Sequence, residues 1–386
     1  MNFKMAAKSG LANDFKGISL SIGLMSGTSL DGIDVAAIRT DGQKAIQFGP
    51  ASTFPYDPDF RKKLKSILGP GAQKNPDVKS IENKLTELHA LAVSSFMDTY
   101  EISQDDVDII GFHGHTVFHD PRAGVTYQIG DGQMLADITK IKVVGDFRSQ
   151  DVAAGGEGAP LVPIYHQALV GGMPNMDLPV AVLNLGGIAN VTWVGAKDDV
   201  DEGALLAFDT GPCNALLDDW TFDKTGNKFD EGGSLAASGT ADTKTINSML
   251  GHPYFAKAFP KSLDRQDFNT GVLNGLSPED GAATLVGFIA AAVKKAESVL
   301  PQMPNTWVLT GGGCHNKTLV KALGNALSAS VVSADEIGWN ADALEAQAFA
   351  YLAVRSAQGL AISFPGTTGV PRPTCGGTLF NPAGNK

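Results

Sequence analysis

The sequence predicts an α/β fold made of two similar halves with a ligand cleft between the copies. Three observations carry this. Short apolar runs of strand character alternate with longer stretches of helical spacing through both halves. GLMSGTSLDGIDVAAI (23–38) and VLNLGGIANVTWV (182–194) each read as strand, glycine-rich turn, strand, and each opens one half. The chain has 386 residues, long enough to bury two cores. The boundaries expected are a tail at 1–17, a first domain at 18–177 and a second at 178–386, with 340–386 able to pack back on the first.

The elements follow in order. Ser19–Met25 is a strand, and Ile33–Arg39 returns beside it after the polar turn. Ile81, Leu85, Leu88, Leu91 and Phe96 recur at helical spacing, which predicts an amphipathic helix over 80–100. Asp108–Phe112 and Lys142–Asp146 are strands, and a helix is expected over Ala159–Val170 with Pro160 near its first turn. In the second half Val180–Leu185, Val191–Val194 and Ala204–Asp209 are strands, and a helix starts near Ala215. Residues 283–300 are helical and Trp307–Thr310 is a strand. Residues 341–358 form a helix apolar nearly all round, hence buried between layers, and Gly359 can end it. Pro365, Pro371, Pro373 and Pro382 mark a surface-hugging tail.

Composition excludes several classes. The formal charge is −11 with no basic stripe to offset it, which argues against nucleic acid as a partner. Cys213, Cys314 and Cys375 show no CxxC pairing and no metal-ligand spacing, so three reduced thiols are expected. Residues 1–17 lack the apolar core of a signal peptide, and no run approaches the ~20 apolar residues that span a bilayer. A cytoplasmic protein without membrane contact is expected.

Five groups of residues carry chemistry. Ser26-Gly27-Thr28-Ser29-Leu30-Asp31-Gly32 crowds N–H and O–H donors at one turn, which suits phosphate oxygens, while Asp31 suits Mg²⁺; a plain hairpin loop is the alternative. No GKS or GKT follows, so this is not a Walker A loop. Asn184-Leu185-Gly186-Gly187-Ile188-Ala189-Asn190 lets backbone approach a ligand closely. Asp209-Thr210-Gly211-Pro212-Cys213-Asn214 places a carboxylate at the end of a strand, where α/β sheets bind ligands. Asp209 can be a general base, a metal ligand or a helix N-cap. Gly311-Gly312-Gly313-Cys314-His315-Asn316 offers a flat shelf for a nucleotide base and ribose. The last group is scattered: His113, His115, Thr116 and His119 after one strand; Asp146, a second candidate base, and Arg148 after another; Lys261-Ser262-Leu263-Asp264-Arg265, cations near an anion or a solvated loop; and Glu345 on the apolar helix, in a site or paired with a buried Arg.

LMSGTSLDGID, GFHGHT, GDFRSQDVAAGGEGAPLVP, LNLGGIANVT, FDTGPCN, KSLDR, LTGGGCHN and EAQAFAYLA occur in that order. Together they resemble the anhydro-N-acetylmuramic acid kinase family from about Leu20 to Pro382. Residues 1–17 and the acidic segment around 197–202 fall outside the likeness. The resemblance implies the two-domain actin/hexokinase-like fold, a duplicated ribonuclease H-like architecture that closes on ATP. It implies hydrolysis of a 1,6-anhydro bond coupled to phosphorylation of O6, in recycling of bacterial cell wall. It places Gly27, Thr28, Ser29, Leu30, Asp31, Gly32, Ile33 and Asp34 on the ATP phosphates, with Gly186, Gly187 and Asn190 opposite. Gly311, Gly312, Gly313 and Asn316 would hold adenosine. Ser26, His113, Thr116, Arg148, Asn184, Thr210 and Gly211 would face the sugar. Asp31 and Asp209 would hold Mg²⁺. Asp209 is the first choice of base and Asp146 the second, with Glu345 as a further catalytic candidate. A homodimer is expected. A kinase for another sugar or small acid, an ATP-binding regulatory module and an ATP-independent glycosidase are the competing readings.

Overall fold

The computed structural model describes residues 17–27, 30–44, 46–120, 123–195, 204–263 and 267–384. All but the last residue of the expected tail at 1–17, and the acidic segment around 197–202, lie outside them. The chain divides into two compact units. One takes the described residues up to Pro174 and again from Ala343 onward; the other is Asn175–Asp342. The last helix and the C-terminal tail, expected in the second domain but able to pack back on the first, cluster with the first unit.

Strands β1 (Ser19–Ser26), β2 (Gly32–Thr40), β3 (Ile46–Pro55), β4 (Ile109–Asp120), β5 (Val125–Ile129) and β6 (Val143–Gly145) belong to the first unit. The second holds β7 (Val180–Leu185), β8 (Ile188–Val194), β9 (Leu205–Pro212), β10 (Thr306–Thr310) and β11 (Ser330–Ser333), and β12 (Thr378–Phe380) returns to the first sheet. The sheet orders are β12-β6-β4-β1-β2-β3, with β5 on β4, and β11-β10-β7-β8-β9. The wiring is the same in both. Three strands form an antiparallel meander, β4 or β10 lies parallel beside the first of them, and β6 or β11 lies parallel beyond that; β5 and β12 are additions to the first sheet. This is a duplicated α/β fold of the ribonuclease H-like type, legible from strand order alone.

Each sheet is covered by helices whose residues explain their placement. Helix Val78–Thr99 buries Ile81, Leu85, His89, Ala92, Val93 and Phe96 on one stripe, although Leu91 turns outward. Helix Pro278–Glu297 starts at Ser277, whose hydroxyl accepts from Asp280 N–H at 3.0 Å. Proline follows that cap, acids fill the first turn and Lys294 and Lys295 the last, each placed to suit the helix dipole. The long helix expected over 341–358 is Leu344–Ala357. It lies directly on the backbones of β1 and β4. Gly23 and Gly111 are register partners there. A Cβ on Gly23 would come 1.8 Å from the Ala346 carbonyl, and one on Gly111 2.0 Å from that of Phe349. Only glycine permits this approach, and it fixes where Glu345 stands. Gly359, with φ +69°, follows the end of the helix as expected.

Three expectations are corrected. The helix after the glycine-rich turn spans Pro163–Gly171, with Pro163 rather than Pro160 in its first turn. The third strand of the second unit runs on to Pro212, so Asp209 is inside it and Cys213, not Asp209, is the N-cap of helix Asn214–Thr225. The tail is not merely draped on the surface, because Thr378–Phe380 pairs with β6.

Candidate functional site

In the first unit, the β1–β2 hairpin ends in the turn predicted to meet phosphates. Thr28 and Ser29 lie outside the described residues. Gly27 O accepts Leu30 N–H at 3.1 Å, and Leu30 adopts φ +60°. Asp31 is exposed and pairs with Arg61 at 3.2 Å. Gly32 and Ile33 open β2; a Cβ on Gly32 would meet Phe54 O at 2.3 Å, and the Ile33 side chain is in the core. Ser26 is buried, and its hydroxyl is shared with Tyr56 Oη at 2.8 Å and His115 Nδ1 at 3.0 Å. That network anchors the root of the turn. Burial pulls His115 down to about 4 and raises the Tyr56 phenol, so both are neutral at pH 7.

A second network gathers charged groups. Arg148 donates from Nε and Nη2 to His113 Nε2 at 3.2 and 3.0 Å, and from Nη1 to Gly158 O at 2.7 Å. His113 Nε2 is therefore the acceptor, and the ring proton sits on Nδ1, which meets Gly114 O at 3.0 Å. Burial, then Arg148, hold this imidazole well below its usual range. Burial also lowers Arg148, to about 10, so it remains a cation. Asp151 accepts Gly158 N–H and the Thr368 hydroxyl, each at 2.6 Å, which ties this loop to the C-terminal segment. Glu345 reaches solvent in the first turn of its helix, yet protein crowds its carboxyl. That desolvation, then the Asp34 carboxylate, raise it above the usual range, and Arg148 opposes them. Asp34 accepts the Thr53 hydroxyl at 2.6 Å. Asp146 is exposed just past β6 with φ +53° and accepts the Ser149 hydroxyl. Thr116 on β4 accepts a long 3.3 Å bond from Gln128.

In the second unit the predicted polar residues fall in one row. Thr310, Asn184, Asn190 and Asp209 are successive register partners across β10, β7, β8 and β9. Directly opposed residues share a face of the sheet. Thr210 is the extra residue of a bulge that follows, and Gly211 resumes the pairing opposite Ala189. Asp209 Oδ2 accepts Leu263 N–H at 2.8 Å, while Tyr254 Oη donates to its carbonyl at 2.6 Å. The carbonyls of Gly186 and Gly187 accept the N–H groups of Asn214, Cys213 and Ala215. The glycine turn thus caps the following helix, whose first donors are occupied. Gly311 has φ +78°, and a Cβ there would lie 2.2 Å from Asn184 Oδ1; one on Gly313 would lie 2.6 Å from Leu185 Cβ. Gly312 faces open space. Asn316 caps helix Lys317–Ala326 by accepting Leu319 N–H at 2.9 Å, which fixes the glycine shelf rather than leaving that oxygen for a ligand.

These placements can be set beside known proteins. A sequence model of the family described as anhydro-N-acetylmuramic acid kinase matches residues 19–382. The chain belongs to the anhydro-N-acetylmuramic acid kinase family. It is 50% identical over 361 residues to the protein of that name from Paramagnetospirillum magneticum, covering 93% of this chain and 98% of the relative. It is 48% identical over 369 residues to the one from Rhodopseudomonas palustris, covering 94% and 99%. Among solved structures, component A of the Acidaminococcus fermentans (R)-2-hydroxyglutaryl-CoA dehydratase aligns at TM-score 0.47 with 13% identity, over 88% of this chain and 99% of that one.

As a member of the anhydro-N-acetylmuramic acid kinase family, the chain has its motif residues in two sets. His113, Arg148, Asp34 and Glu345 interact in the first unit; Asn184, Asn190, Asp209 and the glycines of 311–313 converge in the second. Tyr56, Asp151, Thr368 and Tyr254 join these networks without being among the residues the sequence singles out. Tyr56, Thr368 and Tyr254 carry no motif signal, whereas Asp151 was visible inside GDFRSQD. Asp264 and Arg265 of KSLDR lie outside the described residues. Among the described residues no three of His, Cys, Asp and Glu converge as a metal cage. Isolated carboxylates such as Asp31 and Asp209 fit only an ion that takes most of its shell from water and phosphate, as Mg²⁺ does. All three cysteines are free, and no described helix is long and apolar enough to cross a membrane.

Proposed function

We propose that the protein opens 1,6-anhydro-N-acetylmuramic acid and phosphorylates it with ATP, giving N-acetylmuramate 6-phosphate and ADP, in cell-wall recycling. The observation that carries this reading is the oriented carboxylate of Asp209, in register with Asn184 and Asn190 beside the glycine shelf. Asp209 takes a proton from the water that attacks the anomeric carbon. The bond from that carbon to O6 breaks, and its electron pair goes with O6 as O6 takes the γ-phosphoryl group and ADP departs. Leu263 N–H and the Tyr254 hydroxyl hold Asp209 in place, so little reorganisation is needed at the moment of reaction. Main-chain donors of the 27–34 turn and of Gly186 and Gly187 steady the phosphates. The open face of Gly312 takes adenosine, with Gly311 and Gly313 locked beneath. Asn184, Thr210 and Gly211 of the second unit, and Ser26, His113, Thr116 and Arg148 of the first, are the residues for the sugar, and Asp146 is the reserve base. Glu345, whose carboxyl burial and then Asp34 raise above the usual range, is the further catalytic candidate beside Arg148. Asp31 and Asp209 are each a candidate to hold Mg²⁺, which would neutralise phosphate charge. The enzyme acts in the cytoplasm as a homodimer, without nucleic-acid or membrane partners.

The test is turnover in ¹⁸O-water with ATP, Mg²⁺ and the anhydro sugar, read by mass spectrometry. Phosphorylated product carrying ¹⁸O at the anomeric carbon is expected. Asp209→Asn should abolish turnover while nucleotide affinity stays within about threefold. Nucleotide binding without any sugar product would refute the substrate, and an active Asp209→Asn would move the base to Asp146.

A further inference from the structure

Beside Asp209 the second unit concentrates positive charge over an aromatic floor. Lys261 is half-buried, with Nζ 4.7 Å from the centroid of Tyr254 and 5.8 Å from that of Phe208. Lys257 Nζ stands 5.7 Å from the same Tyr254 ring, and Lys295 Nζ 5.5 Å from Phe255. Phe255 meets Tyr254 edge-on at 5.6 Å, so the floor is continuous. Asp209 N–H donates to the Lys261 carbonyl at 3.1 Å, which places this lysine against the candidate base. Among the described residues the Lys261 ammonium has no hydrogen bond or ion pair. Burial, then Lys295 and Lys257, depress its pKa, and Asp209 only partly opposes them. Three lysines thus gather on this floor, with the Asp209 and Asp267 carboxylates near its Tyr254 ring.

We infer that Lys261 recognises the carboxylate of the sugar substrate, with Lys257 and Lys295 supplying the surrounding positive field. This rests on the function proposed above. N-acetylmuramic acid differs from N-acetylglucosamine by a lactyl ether on the third ring carbon, and the lactyl carboxylate is its only charge. That carbon is close to the anomeric centre, so a cation next to the base is within reach of the carboxylate. Aromatic faces hold the lysine stem without competing for its N–H donors. A compact ammonium is suited to a flexible carboxylate that presents no fixed planar fork. The floor therefore acts as a specificity device, one that selects the acidic amino sugar and excludes its neutral relative.

The experiment compares kcat/KM for 1,6-anhydro-N-acetylmuramic acid with that for its lactyl carboxamide. Wild type should prefer the acid by about 10- to 100-fold, the scale of one charge-assisted contact. Lys261→Met keeps the apolar stem and should bring the preference close to one, chiefly through KM for the acid, while Lys261→Arg recovers part of it. The exposed pair Lys257→Gln with Lys295→Gln should lower the preference by about 2- to 5-fold through the weaker field, a readout that stands even if Lys261→Met folds poorly. Equal turnover of acid and amide by wild type overturns the inference and leaves the proposed function intact. Equal losses on both sugars in Lys261→Met overturn it too, since the cation would then serve the phosphoryl group or the fold. Turnover of neither sugar by wild type refutes the proposed function itself.

Discussion

Replacing Arg148 by methionine removes three donors while keeping much of the side chain's bulk. Two of the three converge on His113 Nε2, at 3.2 and 3.0 Å, and the third meets Gly158 O at 2.7 Å. His113 is 5% exposed, so its acceptor has little water to turn to. An unsatisfied buried acceptor costs about 1–3 kcal/mol. Two of them, lessened by water entering where the half-buried guanidinium was, give an expected loss of about 2–4 kcal/mol. Electrostatics sets the pH dependence. Arg148 lowers both His113 and Glu345. Glu345 has a raised folded pKa, so the stability it lends is complete below its unfolded pKa and lost as pH rises through the folded one. Without Arg148 that folded pKa moves further up, so the deficit is larger at pH 8 than at pH 5. His113 acts in the same sense, because its depressed pKa makes wild type lose stability as pH falls, and the variant loses less. The assay needs care: all four tryptophans, at 193, 220, 307 and 339, lie in the second unit and report on it alone. Hydrogen exchange of β4 and β6 amides under native conditions follows the first unit instead. Arg148→Lys should show a smaller deficit with little change between the two pH values, since charge is kept and the fork is lost. A deficit below about 0.5 kcal/mol in Arg148→Met, or one that is the same at pH 5 and pH 8, would refute this reasoning.

Other outcomes follow from single distances and burials. Gly23→Ala puts a Cβ 1.8 Å from Ala346 O, so helix Leu344–Ala357 must lift from the sheet. A loss of about 3 kcal/mol or more is expected, against a near-neutral Gly312→Ala, whose Cβ meets open space; thermal melts of the two compare directly. Burial holds His89 and His115 at about 4, His166 at about 3, and His113 well below its usual value. These depressed groups stabilise the fold above about pH 6.5, and that contribution is lost as pH falls toward their folded values. Unfolding near pH 5 should therefore take up close to four protons more than at pH 8, before carboxylate contributions, and titration calorimetry of the unfolded and native states would show whether it does. Burial pushes the thiols of Cys213 and Cys314 up to about 12, whereas Cys375 is exposed. One fast-labelling thiol per chain is expected with iodoacetamide at pH 8, and Cys375→Ser should remove it.

Where sequence reasoning succeeded, a local pattern and the tertiary demand agreed. VAVLNL is apolar except at Asn184 and is a strand buried on both faces up to that residue; the two glycine-turn hairpins open two sheets wired alike. Where it fell short, the deciding partner was remote. Glycine and proline after Asp209 signal the end of a strand, yet β9 runs on to Pro212. It can do so because β9 is an edge strand, so a proline there need not break an interior ladder. The row of Thr310, Asn184, Asn190 and Asp209 depends on register across four strands and on a bulge at Thr210, neither of which leaves a mark at any one position. Glu345 was legible as a charge on an apolar helix, but its surroundings come from Asp34 and Arg148, brought there because two glycines on neighbouring strands let the helix backbone touch the sheet. The motif letters thus named most of the polar groups. What they do not encode is the spacing between those groups, which is set by glycine contacts, a strand bulge and an edge position, features that act on backbone and leave side-chain chemistry unchanged. That division explains why the reactive residues of this enzyme family are easier to list from sequence than to assign to roles.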